Sequence, residues 1–235
     1  MEQIISYIQA TVPGDKPDNL PNQDYIQVFE NDTIYIGSVS DGLGSSLHSK
    51  DGARLACECV VDILKNENSE VDFNALSDKI TKHWQHLVEQ NKGLIKDYRT
   101  TNSFVSVLKK EKIILAGQLG DVMISLRIDG LFRHFEITQK EFSNETDCLG
   151  SGKNERYKIA KYEFGHSFDF LIATDGISDE IEPLKLEAFQ NYLKDKFQNV
   201  STDNRNIELQ SEIENIMEDK NNDDKSLLYT WTNRK

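Results

Sequence analysis

Cysteine, proline and positive charge are all scarce in this chain, and each shortage excludes something. Three cysteines, Cys57, Cys59 and Cys148, are an odd number without metal-ligand spacing. That argues against a disulfide framework and against a thiolate zinc site, and points to a reducing compartment, the cytoplasm. No apolar run approaches the ~20 residues that a membrane-spanning helix needs. The opening MEQIISYIQA lacks the basic start and apolar core of a signal peptide. Lys and Arg number 27 against 40 Asp and Glu, for a net charge of −13. Nucleic acid, whose phosphates such a surface repels, is therefore not expected as a partner, and neither is a membrane. A phosphorylated substrate stays open if bound cations invert the local field. Of four prolines, three fall within PGDKPDNLPNQD, which marks a loop.

The 235 residues, 37% of them hydrophobic, suffice for one large domain, and no linker divides them, so one domain over 1–235 is expected. Strands are expected at 3–12, 25–29 and from Ile34, the first three reading as a β-meander. From 103 to 137, SFVSVLKK, KIILAGQLG, VMISLRI and LFRHFEI alternate as four more strands. Further strands are expected at 157–164, 168–174 and 226–231, around a polar surface loop at 139–155. Helical periodicity covers 51–65, 73–98, 185–197 and 207–219. On the second of these helices Phe73, Leu76, Ile80, Leu87, Leu94 and Ile95 form the apolar stripe, and His83 and His86 a solvated face. Strand-rich segments alternating with paired helices predict an α+β fold: a four-layer αββα sandwich of two central antiparallel sheets flanked by helices.

Four Asp-Gly pairs punctuate the chain. Asp129-Gly130 lies between two alternating runs and is a hairpin turn. Asp51-Gly52 falls at a helix start, where Asp favours the helix dipole. The other two share a pattern that neither role explains. YIGSVSDG and FDFLIATDG each run a buried strand into a hydroxyl residue and then Asp-Gly, at Asp41 and Asp175. Such a carboxylate sits on a rigid element, beside a glycine that admits close approach of a ligand. Asp24 and Asp223 precede strands and Asp121 sits in a turn. Gathered at one rim, these five carboxylates would repel one another unless cations neutralised them. Oxygen-only ligation suits Mg²⁺ or Mn²⁺ rather than zinc. A pair of such ions can activate water and clamp a phosphoryl group. The five remain readable as unrelated turn formers.

The segments PNQDY (21–25), SDGLGSSLHSKDGARLA (40–56), TTNSFVSVL (100–108), GQLGDV (117–122), ATDGISD (173–179) and DDKSLL (223–228) resemble, in order, the metal-dependent serine/threonine protein phosphatases of type 2C, in their compact bacterial-type branch. The resemblance implies hydrolysis of phosphoserine or phosphothreonine in proteins by a water bridging two Mg²⁺ or Mn²⁺ ions. It implies that Asp41 bridges the ions, that the Gly42 carbonyl ligates one, and that Asp175 and Asp223 hold the other. Asp24 would bind a metal water, and Asp121 matches the acid used for a third, weaker ion. A phosphorylated protein and a cognate kinase are the implied partners.

Three positions depart from the family pattern. Gln23 stands where many relatives have Glu. Asn19 replaces a phosphate-binding arginine, leaving Lys16 as the nearest cation. Leu43 stands where relatives often place the histidine proposed as general acid, and His48 in the same loop is the candidate substitute. These departures motivate an alternative, a catalytically weak phosphatase-like domain that binds phosphoproteins or scaffolds a kinase. A phosphomonoesterase of small molecules is a third reading.

Overall fold

Two five-stranded antiparallel sheets lie face to face in this computed structural model, each covered on its outer face by helices. Residues 4–16, 21–135, 147–153, 155–217 and 221–233 are described. The first sheet has the order β1 (Ile4–Val12), β10 (Lys225–Asn233), β9 (Phe168–Ala173), β6 (Met123–Ile128), β7 (Leu131–His134). The second runs β2 (Tyr25–Glu30), β3 (Ile34–Ser40), β4 (Asn102–Leu108), β5 (Ile113–Leu119), β8 (Lys158–Glu163). The αββα expectation therefore holds.

Side-chain alternation sorts the strands into layers. On β3, Ile34 and Ile36 face the helices α1 (Ser49–Leu64) and α2 (Phe73–Gln90). Tyr35 and Val39 face the other sheet, where they meet Phe170, Ile172 and Leu228. On the far side, Leu171, Tyr229 and Trp231 pack with Leu193 and Phe197 of α4 (Leu186–Phe197) and Leu209 and Ile213 of α5 (Thr202–Met217). β3 and β9 are thus buried on both faces, which is why they read as near-continuous apolar runs.

Three expectations are corrected. The first strand does not continue into β2 as a meander but pairs along its whole length with β10, from Ile4 opposite Asn233 to Val12 opposite Lys225. The second helix ends at Gln90, not near 98. Asn91 turns its amide back onto the Leu87 carbonyl at 2.8 Å, and Lys92 adopts φ 57°, a left-handed stop. A short 3₁₀ turn, Ile95–Asp97, follows. Leu94 is consequently exposed, and the buried stripe of α2 is Leu76, Ile80, Trp84 and Val88. The expected surface loop at 139–155 falls largely outside the described residues, but its Cys148 and Leu149 are buried, with Leu149 bridged to Thr100.

Asp129-Gly130 is the expected hairpin turn, both residues at positive φ (49° and 86°) between β6 and β7. His83 and His86 lie on the outer face of α2, where His86 shares a hydrogen bond with Gln90. Among the described residues no helix is long and apolar enough to cross a membrane.

Candidate metal centre

The two sheets meet at a rim where β3 and β9 end and β2 and β10 begin. Asp41 follows the last residue of β3. Its carbonyl accepts from the Thr101 amide at 2.9 Å and the Thr100 hydroxyl at 2.6 Å, which fixes the loop against β4. Asp175 opens the one-turn helix α3 (Asp175–Ser178) directly after β9. Asp24 precedes β2, and its Oδ2 accepts the Thr174 hydroxyl at 2.9 Å, tying one sheet to the other. Thr174 in turn accepts from the Ser226 amide at 3.0 Å, which anchors the start of β10.

The five predicted aspartates are brought together. Burial raises the Asp41 carboxyl well above the ordinary range, and the charges of Asp24, Asp175, Asp121 and Asp223 add to the shift. Asp175 is pushed up to about 6, first by burial and then by Asp121 and Asp223. Asp24 rises to about 7 because burial outweighs the hydrogen bond from Thr174. Oδ1 of Asp24 and Oδ1 of Asp175 are buried with no hydrogen-bond partner. Buried carboxylate oxygens without donors are costly, and an oxygen-seeking cation, directly or through one of its waters, would relieve both. The donor set therefore fits Mg²⁺ or Mn²⁺. Among the described residues no three His, Cys, Asp or Glu side chains converge closely enough to hold an ion unaided. Ions that keep several of their waters, as Mg²⁺ does, suit such a loose set.

The glycines after Asp41 and Asp175 have a packing role that their motif does not announce. A Cβ on Gly42 would lie 2.7 Å from the Ser49 backbone and 2.9 Å from the Gln23 carbonyl. On Gly176 it would lie 2.0 Å from the Asp224 carbonyl. Both glycines admit a neighbouring stretch of the same chain, and that crossing is what brings the carboxylates of distant segments to one rim.

His48 precedes α1, exposed, with its ring 5.1 Å from that of Tyr98. Asn19 lies outside the described residues. Lys16, the nearest cation to the missing arginine, is committed elsewhere. Its ammonium is 2.8 Å from Asp223 Oδ1 and 2.8 Å from Asp224 Oδ2, and donates to Gln23 Oε1 at 3.3 Å. Gln23 also donates from Nε2 to Ser49 Oγ at 2.6 Å.

Asp224 was not legible as a site residue. It is 1% exposed, and besides Lys16 it accepts from the Gly14 amide at 2.9 Å and the Gln23 amide at 2.7 Å. The doubled acid of DDKSLL is the only local signal, and it does not say which aspartate faces inward. Arg99 carries no local signal of a site role either. Its guanidinium donates to Ser46 Oγ at 3.0 Å and Ser45 Oγ at 3.1 Å, holding the loop that follows Asp41.

The model of a family described as protein phosphatase 2C matches residues 16–218. No curated protein sequence matches the chain. Among solved structures it is similar to RsbX in complex with magnesium, at 15% identity and TM-score 0.64, over 99% of this chain and 97% of that one. The catalytic domain of the serine/threonine protein phosphatase PstP with two manganese ions matches at 14% identity and TM-score 0.62, over 99% and 100%. A serine/threonine phosphatase of S. agalactiae matches at 17% identity and TM-score 0.62, over 97% and 99%. At these identities the structural likeness establishes the fold.

Proposed function

The chain belongs to the protein phosphatase 2C family, and from that premise we propose that it hydrolyses phosphoserine and phosphothreonine in proteins, using Mg²⁺ or Mn²⁺. The observation that carries this reading is the pair of buried, unpartnered oxygens, Asp24 Oδ1 and Asp175 Oδ1, within a cluster of aspartates that raise one another's pKa values.

Asp41, the Gly42 carbonyl, Asp175 and Asp223 would hold two ions, and Asp121 a third, weaker one. When bound, such ions acidify water and neutralise phosphoryl oxygens. Asp24 orients the attacking water through Oδ1, the oxygen that Thr174 leaves free. Thr174 keeps that carboxylate from rotating, because its hydroxyl is itself fixed by the Ser226 amide. Thr100 and Thr101 hold the Asp41 backbone, so the carboxylate projects from a fixed point. His48 is the imidazole in the loop after Asp41 and the candidate to protonate the departing serine or threonine oxygen. Water attacks phosphorus directly, so no phosphoenzyme forms. A phosphorylated protein is the substrate, with a cognate kinase as its upstream partner and the cytoplasm as the setting.

The test is hydrolysis of p-nitrophenyl phosphate and a phosphothreonine peptide with Mn²⁺, with and without chelator, beside Asp41→Asn. Turnover that needs the ion and disappears in the variant supports the assignment. Full activity in Asp41→Asn would sink it. Preference for nucleotides or sugar phosphates over the peptide would move the substrate to small molecules.

One observation favours the second reading, a phosphatase-like domain with weak catalysis that binds phosphoproteins or scaffolds a kinase. Asp223, needed for an ion, already carries a lysine. Phosphopeptide binding without turnover at saturating Mn²⁺ would select that reading.

A further inference from the structure

The aspartates of the rim divide into two groups by what neutralises them. Asp24 and Asp175 each keep a buried oxygen with no partner. Asp223 and Asp224 share the Lys16 ammonium, 2.8 Å from each. The ammonium donates to Asp224 and to the Gln23 amide oxygen and forms an ion pair with Asp223, three contacts for its three N–H groups. Lys16 thus places one positive charge between two negative ones. Its stem is largely covered, with 14% of the side chain exposed.

We propose that Lys16 is a resident counter-ion of this centre, which occupies the Asp223 side and weakens the divalent ion that Asp223 shares with Asp175. This rests on the metal-centre reading above and adds an order of affinity to it. Asp223 Oδ1 is engaged by Lys16 and by the Asp224 amide, at 2.8 Å each, so an incoming ion must use the other oxygen or displace the ammonium. Displacement is opposed because the buried Asp224 would lose the one cationic partner it has among the described residues. Gln23 belongs to the same arrangement. Its amide turns the carbonyl to Lys16 and the NH₂ to Ser49, a polarity that a carboxylate at this position would not reproduce. The same three contacts keep Lys16 from serving as the missing phosphate-binding cation.

Titration of the metal-free full chain with Mn²⁺ by calorimetry tests the inference without reference to activity. In the wild type the two ions assigned to Asp41, Gly42, Asp175 and Asp223 should bind in two separated steps, ahead of any ion at Asp121. Lys16→Gln should tighten the weaker step by about tenfold or more, since a fixed positive charge beside a divalent ion is removed. Lys16→Arg, which keeps the charge, should leave the two steps apart. Should Lys16→Gln not fold, the wild-type titration still decides. Two equivalent ions in the wild type, or a weaker step unmoved by Lys16→Gln, overturns the role of Lys16 while leaving the metal centre standing. Absence of Mn²⁺ binding in the wild type and in both variants overturns the metal centre and this inference together.

Discussion

The Thr174 hydroxyl donates to Asp24 Oδ2 at 2.9 Å, and this single bond joins the end of β9 in one sheet to the start of β2 in the other. It lies at the rim itself, so the fixture between the sheets also orients a site carboxylate. Thr174→Val keeps the shape and removes the donor. The expected cost is about 1–3 kcal/mol, that of leaving a buried acceptor unsatisfied. Turnover of a phosphopeptide should fall by about tenfold, with KM little changed, because what is lost is orientation of the attacking water. Denaturant melts and steady-state kinetics check the two parts separately. An unchanged kcat would show that Asp24 does not orient that water.

Metal-free protein should lose stability as pH rises from about 4 to 7. Asp24 and Asp175 have folded-state values of about 7 and about 6, above the ordinary aspartate value of 3.8. Between those limits the folded chain binds more protons than the unfolded chain, so the slope of stability against pH is negative from these groups. The loss is complete once pH exceeds the folded values. Mn²⁺ competes with those protons, so its stabilising effect should be larger at pH 8 than at pH 5. Thermal melts with chelator and with Mn²⁺ at both pH values measure this. Asp24→Asn should flatten the slope of the chelated protein, and an equally steep slope in that variant would remove Asp24 as the cause.

Trp84 and Leu94 were expected to share one helix, and substitution separates them. Trp84 is fully buried and donates from its indole to the Gly52 carbonyl at 3.1 Å, where α2 crosses α1. Trp84→Ala should cost about 3–5 kcal/mol. Leu94 lies past the helix end and is exposed, so Leu94→Ser should stay within about 0.5 kcal/mol. Urea midpoints of the two variants provide the comparison, and a large loss in Leu94→Ser would contradict the helix end at Gln90.

What could be read from the sequence was what is encoded locally. The strands of 103–137 announce themselves by alternation and by the Asp129-Gly130 turn. Asp41 and Asp175 announce themselves by a buried strand that breaks at Asp-Gly. The end of α2 was misplaced because Leu94 and Ile95 continue the apolar period, while the stop depends on the left-handed Lys92, which no periodicity reports. The pairing of β1 with β10 joins residues more than two hundred positions apart, as does the contact of Lys16 with Asp224. Neither has a neighbour in sequence that would betray it. The candidate centre is legible in its acids and illegible in Lys16.

The two Asp-Gly pairs of the site make a final distinction testable. If the glycine serves a ligand, adding a methyl group should harm metal binding and leave the fold alone. The structure assigns it instead to chain packing, since a Cβ on Gly176 would stand 2.0 Å from the Asp224 carbonyl, a backbone atom that cannot swing aside. Gly176→Ala should therefore push the start of β10 away from α3, costing about 1–3 kcal/mol as overpacking. Asp223 and Asp224 sit on the displaced segment, so Mn²⁺ affinity should fall with stability. Gly44→Ala is the control from the same rim. Its nearest neighbour would be Gln23 Oε1 at 3.8 Å, an ordinary contact, and its melting temperature should match the wild type. A Gly176→Ala protein of wild-type stability that had lost only Mn²⁺ would return that glycine to the role of ligand approach.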